Sequence, residues 1–255
     1  MSDISRIDSS AQRLDLLLTP PHACNYLTDR QSAILFVEPS LPMESPLYEH
    51  LLERGFRRSS EHVYRPYCPQ CDACVSVRIP VDRFRMTRSF KRVIKRNADL
   101  KAIHVQPGFR DEWFALYQRY IHVRHTDGPM DNPEPEQFLD FLDSPWSDTL
   151  FIEFRLGAHL AMVAVVDYQP KGLSAVYTFF DPDLTSRSLG AYAILWQIEE
   201  AKRLNKSHVY LGYWIHESPK MRYKARFQPL EAYRDRQWRD LTPEEIEMGV
   251  KGASA

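Results

Sequence analysis

From residue 150 onward the chain reads strand, strand, strand, loop, helix, strand, and this order constrains the fold more than any other feature. Apolar residues dominate 150–155, Gly157 and Ala158 turn the chain, and 159–168 and 173–180 follow as two further strands. After a loop at 181–187, Leu189, Tyr192, Ala193, Leu195 and Trp196 recur at helical spacing. They give a long amphipathic helix ending near Asn205, and 208–212 closes the run as a strand. A meander joined through a helix to one more strand buries its sheet under helices, which makes the class α/β (α+β).

The upstream half is less regular. Residues 1–20 show weak periodicity and end in Thr19-Pro20-Pro21, which reads as a loose arm. Leu47, Tyr48, Leu51 and Leu52 mark a short helix with Gly55 at its end. Val75, Val77 and Ile79 alternate with Ser76 and Arg78, predicting a half-buried strand that Pro80 closes at an edge. A helix capped by Thr87 or Ser89 runs to about Leu100, a strand covers 101–106, and Pro107-Gly108 breaks it. A helix over 111–124 carries Trp113, Leu116, Tyr117, Tyr120 and Ile121 on one side. A loop at 126–135 and a helix around 137–142 complete this part. The expected organisation is an N-terminal region at 1–105, a domain at 106–240 and a tail at 241–255.

With 255 residues, 44 % of them hydrophobic, the chain can bury a core. The apolar stretch 161–166 is far short of the roughly 20 residues a bilayer requires, and the N-terminus lacks a basic-then-apolar leader. A cytosolic protein without a membrane span is expected. A net charge of −1 excludes a protein that coats nucleic acid through overall positive charge, so any polyanion site is local.

Such a local site is visible. Nine Arg or Lys face only Asp82 and Asp99 between Arg78 and Lys101. On a helix, Arg88, Arg92 and Lys95, flanked by Lys91 and Arg96, fall on adjacent turns at a pitch that can track a phosphate backbone. A charge run of this kind also suits a plain solvated face. A second cluster, Lys220, Arg222, Lys224 and Arg226, favours the polyanion reading. It lies in an aromatic and cationic block, 210–227, whose rings suit either base stacking or core packing; for Tyr210 and Trp214 packing is the expectation.

Cys68, Cys71 and Cys74 stand at two-residue spacing, with Cys24 alone upstream. Thiolates so placed can wrap zinc or an iron–sulfur cluster, or remain reduced structural or redox-sensitive thiols. His22 and His62 are reserve ligands. Asp167 and Asp181 lie near strand ends, each a base, an orienter or a cap. Arg187-Ser-Leu-Gly190-Ala-Tyr192 opens the long helix where acetyltransferases of the Gcn5-related class hold the coenzyme A pyrophosphate. Tyr192 replaces the final small residue there, which weakens coenzyme A binding more than it weakens the fold signal.

Several stretches together resemble one family: 55–59, 64–80 with its three cysteines, 90–100, Tyr177-Thr-Phe-Phe-Asp-Pro182, and 210–229. The chain resembles the arginyl-tRNA–protein transferases over about 15–238, in particular their bacterial branch, the aspartate/glutamate leucyltransferases. The resemblance implies a cysteine-containing N-terminal domain, a Gcn5-related N-acetyltransferase-like acyltransferase domain and aminoacyl-tRNA as donor. The acceptor it implies is a protein beginning with Asp or Glu, marked by the added residue for N-degron degradation. Eukaryotic relatives begin with a C-x-x-C pair, whereas Cys24-Asn-Tyr-Leu27 keeps one thiol, with Cys71 or Cys74 to compensate.

The chemistry agrees with this role. An aminoacyl ester is already activated and an α-amine with a pKa of about 7.7–8.0 is partly neutral, so positioning supplies most of the catalysis and no cofactor beyond aminoacyl-tRNA is required. Backbone donors on a splayed strand are expected to hold the oxyanion. Asp167, Asp181 and Tyr177 are the catalytic candidates. Arg78, Lys220, Arg222 and Arg226 are the candidates for the acidic acceptor residue, and Arg88, Lys91, Arg92, Lys95, Arg96 and Lys224 for tRNA. The alternatives are an arginyl donor, a coenzyme A-dependent N-acetyltransferase and a non-catalytic RNA-binding protein. Nothing in the sequence sets an oligomeric state.

Overall fold

The computed structural model describes residues 7–9, 12–124 and 133–250, with side chains from Leu14 onward. The expected loop at 126–135 falls largely outside them. The chain forms two compact units, one made of Met1–Pro80 with Leu211–Ala255 and one of Val81–Tyr210. These differ from the boundaries expected at 105 and 240, because a hairpin near the C-terminus pairs with a strand near residue 80.

The first unit begins with the pair β1 (Ile7–Ser9) and β2 (Gln12–Leu14), then β3 (Leu16–Leu18), the small hairpin β4 (His22–Ala23) and β5 (Gln31–Ser32), and β6 (Ile34–Val37). Helix α1 (Ser45–Leu52) leads to β7 (Arg57–Ser59), β8 (His62–Pro66) and β9 (Val75–Pro80). Strands β3, β6, β8 and β7 form an antiparallel sheet, with Leu16 opposite Val37 and Leu35 opposite Arg65. The segment expected as a loose arm therefore holds a strand, since Leu16 finds cover that local periodicity cannot show. Gly55 ends α1 at φ +80°, and a Cβ there would lie 2.8 Å from Tyr233 Cδ1, so both conformation and space demand glycine. β9 is covered on both faces rather than half-buried: Val75, Ser76, Val77, Ile79 and Pro80 are all buried.

The second unit opens with a short 3₁₀ turn and α2 (Arg88–Arg96), followed by β10 (Lys101–Val105), α3 (Asp111–Arg124) and α4 (Pro135–Leu142). The meander β11 (Thr149–Leu156), β12 (His159–Tyr168) and β13 (Gly172–Phe180) follows as expected, and a 3₁₀ turn at Pro182–Arg187 leads into α5 (Leu189–Arg203) and β14 (His208–Trp214). Alternation sorts the meander's side chains. Phe151, Val163, Val165 and Phe179 join Trp113, Tyr117, Ile121 and Phe138 of α3 and α4 in one core, Trp113 stacking on Phe151 at 4.9 Å. Phe154 points to the other face and meets Tyr192 and Trp196 of α5 at 5.7 and 5.4 Å. Helices thus cover both faces of the sheet.

Beyond β14, whose residues from Leu211 onward belong to the first unit, come α6 (Pro219–Arg222), a 3₁₀ turn at Tyr223–Arg226, the hairpin β15 (Glu231–Arg234) and β16 (Gln237–Asp240), and α7 (Pro243–Met248). β15 pairs antiparallel with β9, placing Glu231 opposite Arg78. No helix among the described residues is long and apolar enough to cross a membrane.

Candidate functional site

In the second unit the sequence separates α2 into two faces. Thr87 Oγ1 accepts from the Phe90 N–H at 3.2 Å and caps the helix. Phe90 and Val93 are buried, while Arg88, Lys91, Arg92, Lys95 and Arg96 are exposed. The end of this basic helix is fastened to the loop before α5. Asn97 Nδ2 donates to Arg187 O at 2.8 Å, Arg96 donates to Ser186 O, and Arg187 holds both oxygens of Asp99. That ion pair keeps the Asp99 carboxyl below the usual range. Tyr192 is turned onto Phe154, and Arg187 is committed to Asp99, so the 187–192 loop is built around internal contacts.

The ladder between β13 and β14 covers only Gly172–Ser174 with His208–Tyr210, although β13 runs on to Phe180. At the same point the register with β12 slips, Val165 facing Tyr177 and Val166 facing Ala175, which leaves Val176 as the inserted residue of a bulge.

The three catalytic candidates are not brought together. Asp181 follows β13 and its N–H bonds to Ala161 O, whereas Asp167 lies six residues farther along β12, about 20 Å of strand. Asp167 is fully buried and accepts from Thr149 Oγ1 at 2.7 Å, tying β11 to β12. Asp181 is 4 % exposed and accepts from His159 Nε2 and Arg119 Nη2, both at 2.9 Å, and from the Asp183 N–H at 3.0 Å. It caps the turn at Pro182–Arg187 and also holds two half-exposed groups, His159 and Arg119, that sequence reasoning missed. Tyr177 packs among Tyr117, Tyr120 and Phe141, and burial pushes its hydroxyl far above the ordinary tyrosine value.

The other predicted residues lie in the first unit. Arg78 donates to Glu231 at 2.6 Å and stacks over Trp238 at 4.3 Å, so its charge is already engaged. Lys220, Arg222 and Arg226 are exposed, and Arg222 Nε donates to His216 O at 2.7 Å. Lys224, expected on a tRNA-facing surface, is instead 7 % exposed with Nζ donating to Tyr213 O at 2.6 Å. Tyr210 and Trp214 are buried packing residues, as their spacing predicts.

The four cysteines are all free and half-buried. Burial pushes the Cys74 thiol up to about 12, reinforced by the charges of Cys68, Cys24 and Cys71, which places the four sulfurs in one neighbourhood. Cys68 Sγ lies 3.7 Å from Ala33 O and Cys24 Sγ accepts from the Tyr26 N–H at 3.5 Å. Among the described residues, however, no three His, Cys, Asp or Glu side chains converge as a metal requires. As arranged, the thiols do not fit a resident zinc or cluster.

These features coincide with family-level likeness along most of the chain. Residues 22–92 match the family model described as arginine-tRNA-protein transferase, N terminus, and residues 112–234 match arginine-tRNA-protein transferase, C terminus. The chain belongs to that family. It is 51 % identical over 236 residues to the aspartate/glutamate leucyltransferase of Stutzerimonas stutzeri (strain A1501), covering 92 % of this chain and all of that one. It is 52 % identical over 228 residues to the aspartate/glutamate leucyltransferase of Pseudomonas fluorescens (strain Pf0-1), covering 89 % of this chain and 96 % of that one. Among solved structures, L-PGS from Bacillus licheniformis is 11 % identical with a TM-score of 0.43, over 67 % of this chain and 49 % of that chain.

Proposed function

We propose that this protein moves leucine from Leu-tRNA onto the N-terminal amine of proteins beginning with Asp or Glu, marking them for N-degron degradation in the cytoplasm. The observation that carries the reading is the exposed cationic face of α2, tied through Asn97, Asp99 and Arg187 to the loop that opens α5. The near half-identity to proteins named aspartate/glutamate leucyltransferase supports the donor and acceptor.

The second unit is read as an acyltransferase domain of the Gcn5-related kind. Its α2 binds the donor's phosphates, and counterion release from that row favours association. The acceptor amine attacks the ester carbonyl, a new C–N bond forms, and the ester C–O bond breaks. The amine's proton passes to the departing 3′ oxygen of the tRNA. Backbone N–H groups of β13 beyond Ser174, where the ladder to β14 ends and the bulge lies, supply the oxyanion donors. Asp181 positions His159 and Arg119 at that strand's end. Aminoacyl-tRNA is the only co-substrate, and no step runs through a metal.

The test is transfer of labelled leucine or arginine from each charged tRNA to peptides starting with Asp, Glu, Lys and Ala. Leucine transfer to the acidic peptides alone is expected. Transfer to none of them, or acetyl transfer from acetyl-coenzyme A instead, overturns the reading.

A further inference from the structure

We infer that Cys68 and Cys71 are a reversible redox pair, which a small disulfide such as glutathione disulfide oxidises to an intramolecular disulfide. The pair lies wholly within the first unit and does not depend on the transfer reaction.

The geometry starts from a two-residue turn. Pro69 and Gln70 reverse the chain between β8 and β9, and Cys68 and Cys71, on either side of them, face each other in an antiparallel bridge. Proline at the first central position of a turn fixes φ, so the reversal is set by the chain itself and needs no metal to hold it. Antiparallel partners put their side chains on one face, with Cα atoms about 4.5–5.5 Å apart. That separation falls inside the roughly 4.4–6.8 Å window a disulfide spans. The other two cysteines are placed differently. Cys74 follows in the irregular link to β9, Cys24 lies in the loop between β4 and β5, and among the described residues neither is bridged to another cysteine.

The two sulfurs of the pair have different surroundings. Cys68 Sγ donates to Ala33 O at 3.7 Å and lies 3.9 Å from Ser32 Oγ, whereas Cys71 Sγ makes no hydrogen bond among the described residues. Cys71 is therefore the free nucleophile and Cys68 the resolving thiol. The Cys71 thiolate attacks one sulfur of glutathione disulfide, forming a mixed disulfide and releasing one glutathione thiolate. Cys68 then gives up its proton and attacks the Cys71 sulfur, and the second glutathione leaves. Two protein thiols become one disulfide, one glutathione disulfide becomes two glutathione molecules, and the two protons from the protein end on them.

Oxidation leaves the surrounding strands in place. Ala33 O, released by Cys68, still accepts from the Tyr67 N–H at 2.8 Å, so the turn stays fastened to the chain between β5 and β6. Pro69, Gln70 and Asp72 are exposed and both thiols are half-buried, which gives a small disulfide a path to Cys71. A metal asks for three or four ligands around one centre, and the described residues offer no such set here.

The experiment places the reduced full-length protein in buffers of graded glutathione to glutathione disulfide ratio, quenches with acid, and reads intact mass and peptide maps. Wild type should lose the mass of two hydrogen atoms, with Cys68 joined to Cys71, and regain it in excess glutathione. Cys68→Ser lacks the resolving thiol and should hold a glutathione adduct on Cys71. Cys71→Ser should leave Cys68 reacting at least about 10-fold more slowly. A wild type that stays reduced in excess glutathione disulfide, a bond between other cysteines, an adduct confined to Cys68, or a zinc or iron centre held on these thiols in the isolated protein overturns the pair. The wild-type map decides the matter even should a serine variant not fold.

Discussion

The Arg187 guanidinium holds both carboxylate oxygens of Asp99, at 2.7 and 2.9 Å, and so joins the end of the basic helix to the entrance of α5. A planar fork makes this two-point grip, and an ammonium cannot. Arg187→Lys is therefore expected to raise KM for Leu-tRNA by roughly 3- to 10-fold while leaving peptide KM alone, because the row of cations loses its fixed bearing. Steady-state kinetics with each substrate varied in turn check this.

Reversing charge on the outer face of α2 tests the donor interface directly. Arg88→Glu, Arg92→Glu and Lys95→Glu should each weaken Leu-tRNA binding and flatten its dependence on salt, by about 0.7–0.9 in log–log slope for every phosphate no longer neutralised. Filter binding across a salt series reads the slope. Unaltered slopes would remove α2 from the interface.

Asp181 and Asp167 should part company. Asp181→Asn leaves His159 and Arg119 without their shared carboxylate, so kcat should fall about 10-fold or more and the pH–rate profile should change shape. Asp167→Asn weakens the buried tie to Thr149 Oγ1 on β11, and should lower the denaturation midpoint with kcat retained in the folded fraction.

Glu153 makes stability pH-dependent. Burial opposes its charge, but bonds from Arg155 Nε at 2.6 Å and Trp113 Nε1 at 2.7 Å outweigh it and hold the carboxyl below its ordinary value. A depressed folded-state pKa stabilises fully above the unfolded value near 4.3, and that stabilisation disappears as pH falls through the folded value. Glu153→Gln should cost about 1.5–3 kcal/mol at pH 7, and urea titrations should show the gap closing below about pH 4.

Cys74 should be the slowest thiol. With its pKa pushed up to about 12, roughly one molecule in ten thousand carries the thiolate at pH 8. Mass spectrometry after timed iodoacetamide treatment should find Cys24, Cys68 and Cys71 alkylated first.

The regular half of the fold was legible because its signals are local. Thr87 caps α2, the 111–124 helix carries its apolar side at helical spacing, and the meander's turns fall at Gly157 and near Gly172. The β15–β16 hairpin was not legible: its two-residue turn is Asp235-Arg236, both left-handed at φ 47° and 61°, where Asn-Gly is the recognisable pair. The exposed cationic face of α2 was readable from charge alone. Lys224 was not, since a lysine in a cationic run reads as surface and only tertiary packing buries it. His159 and Arg119 carried no motif, and it is Asp181 that collects them.

The first unit is assembled from the chain's two ends, with Val77 and Arg78 of β9 matched to Ala232 and Glu231. During synthesis, that opening segment must wait on the ribosome until some 150 further residues have been made before its partner strand emerges. Premature termination soon after Tyr210 would therefore leave a nascent N-terminus with an unmet sheet edge, the kind of surface that chaperones and proteases seize.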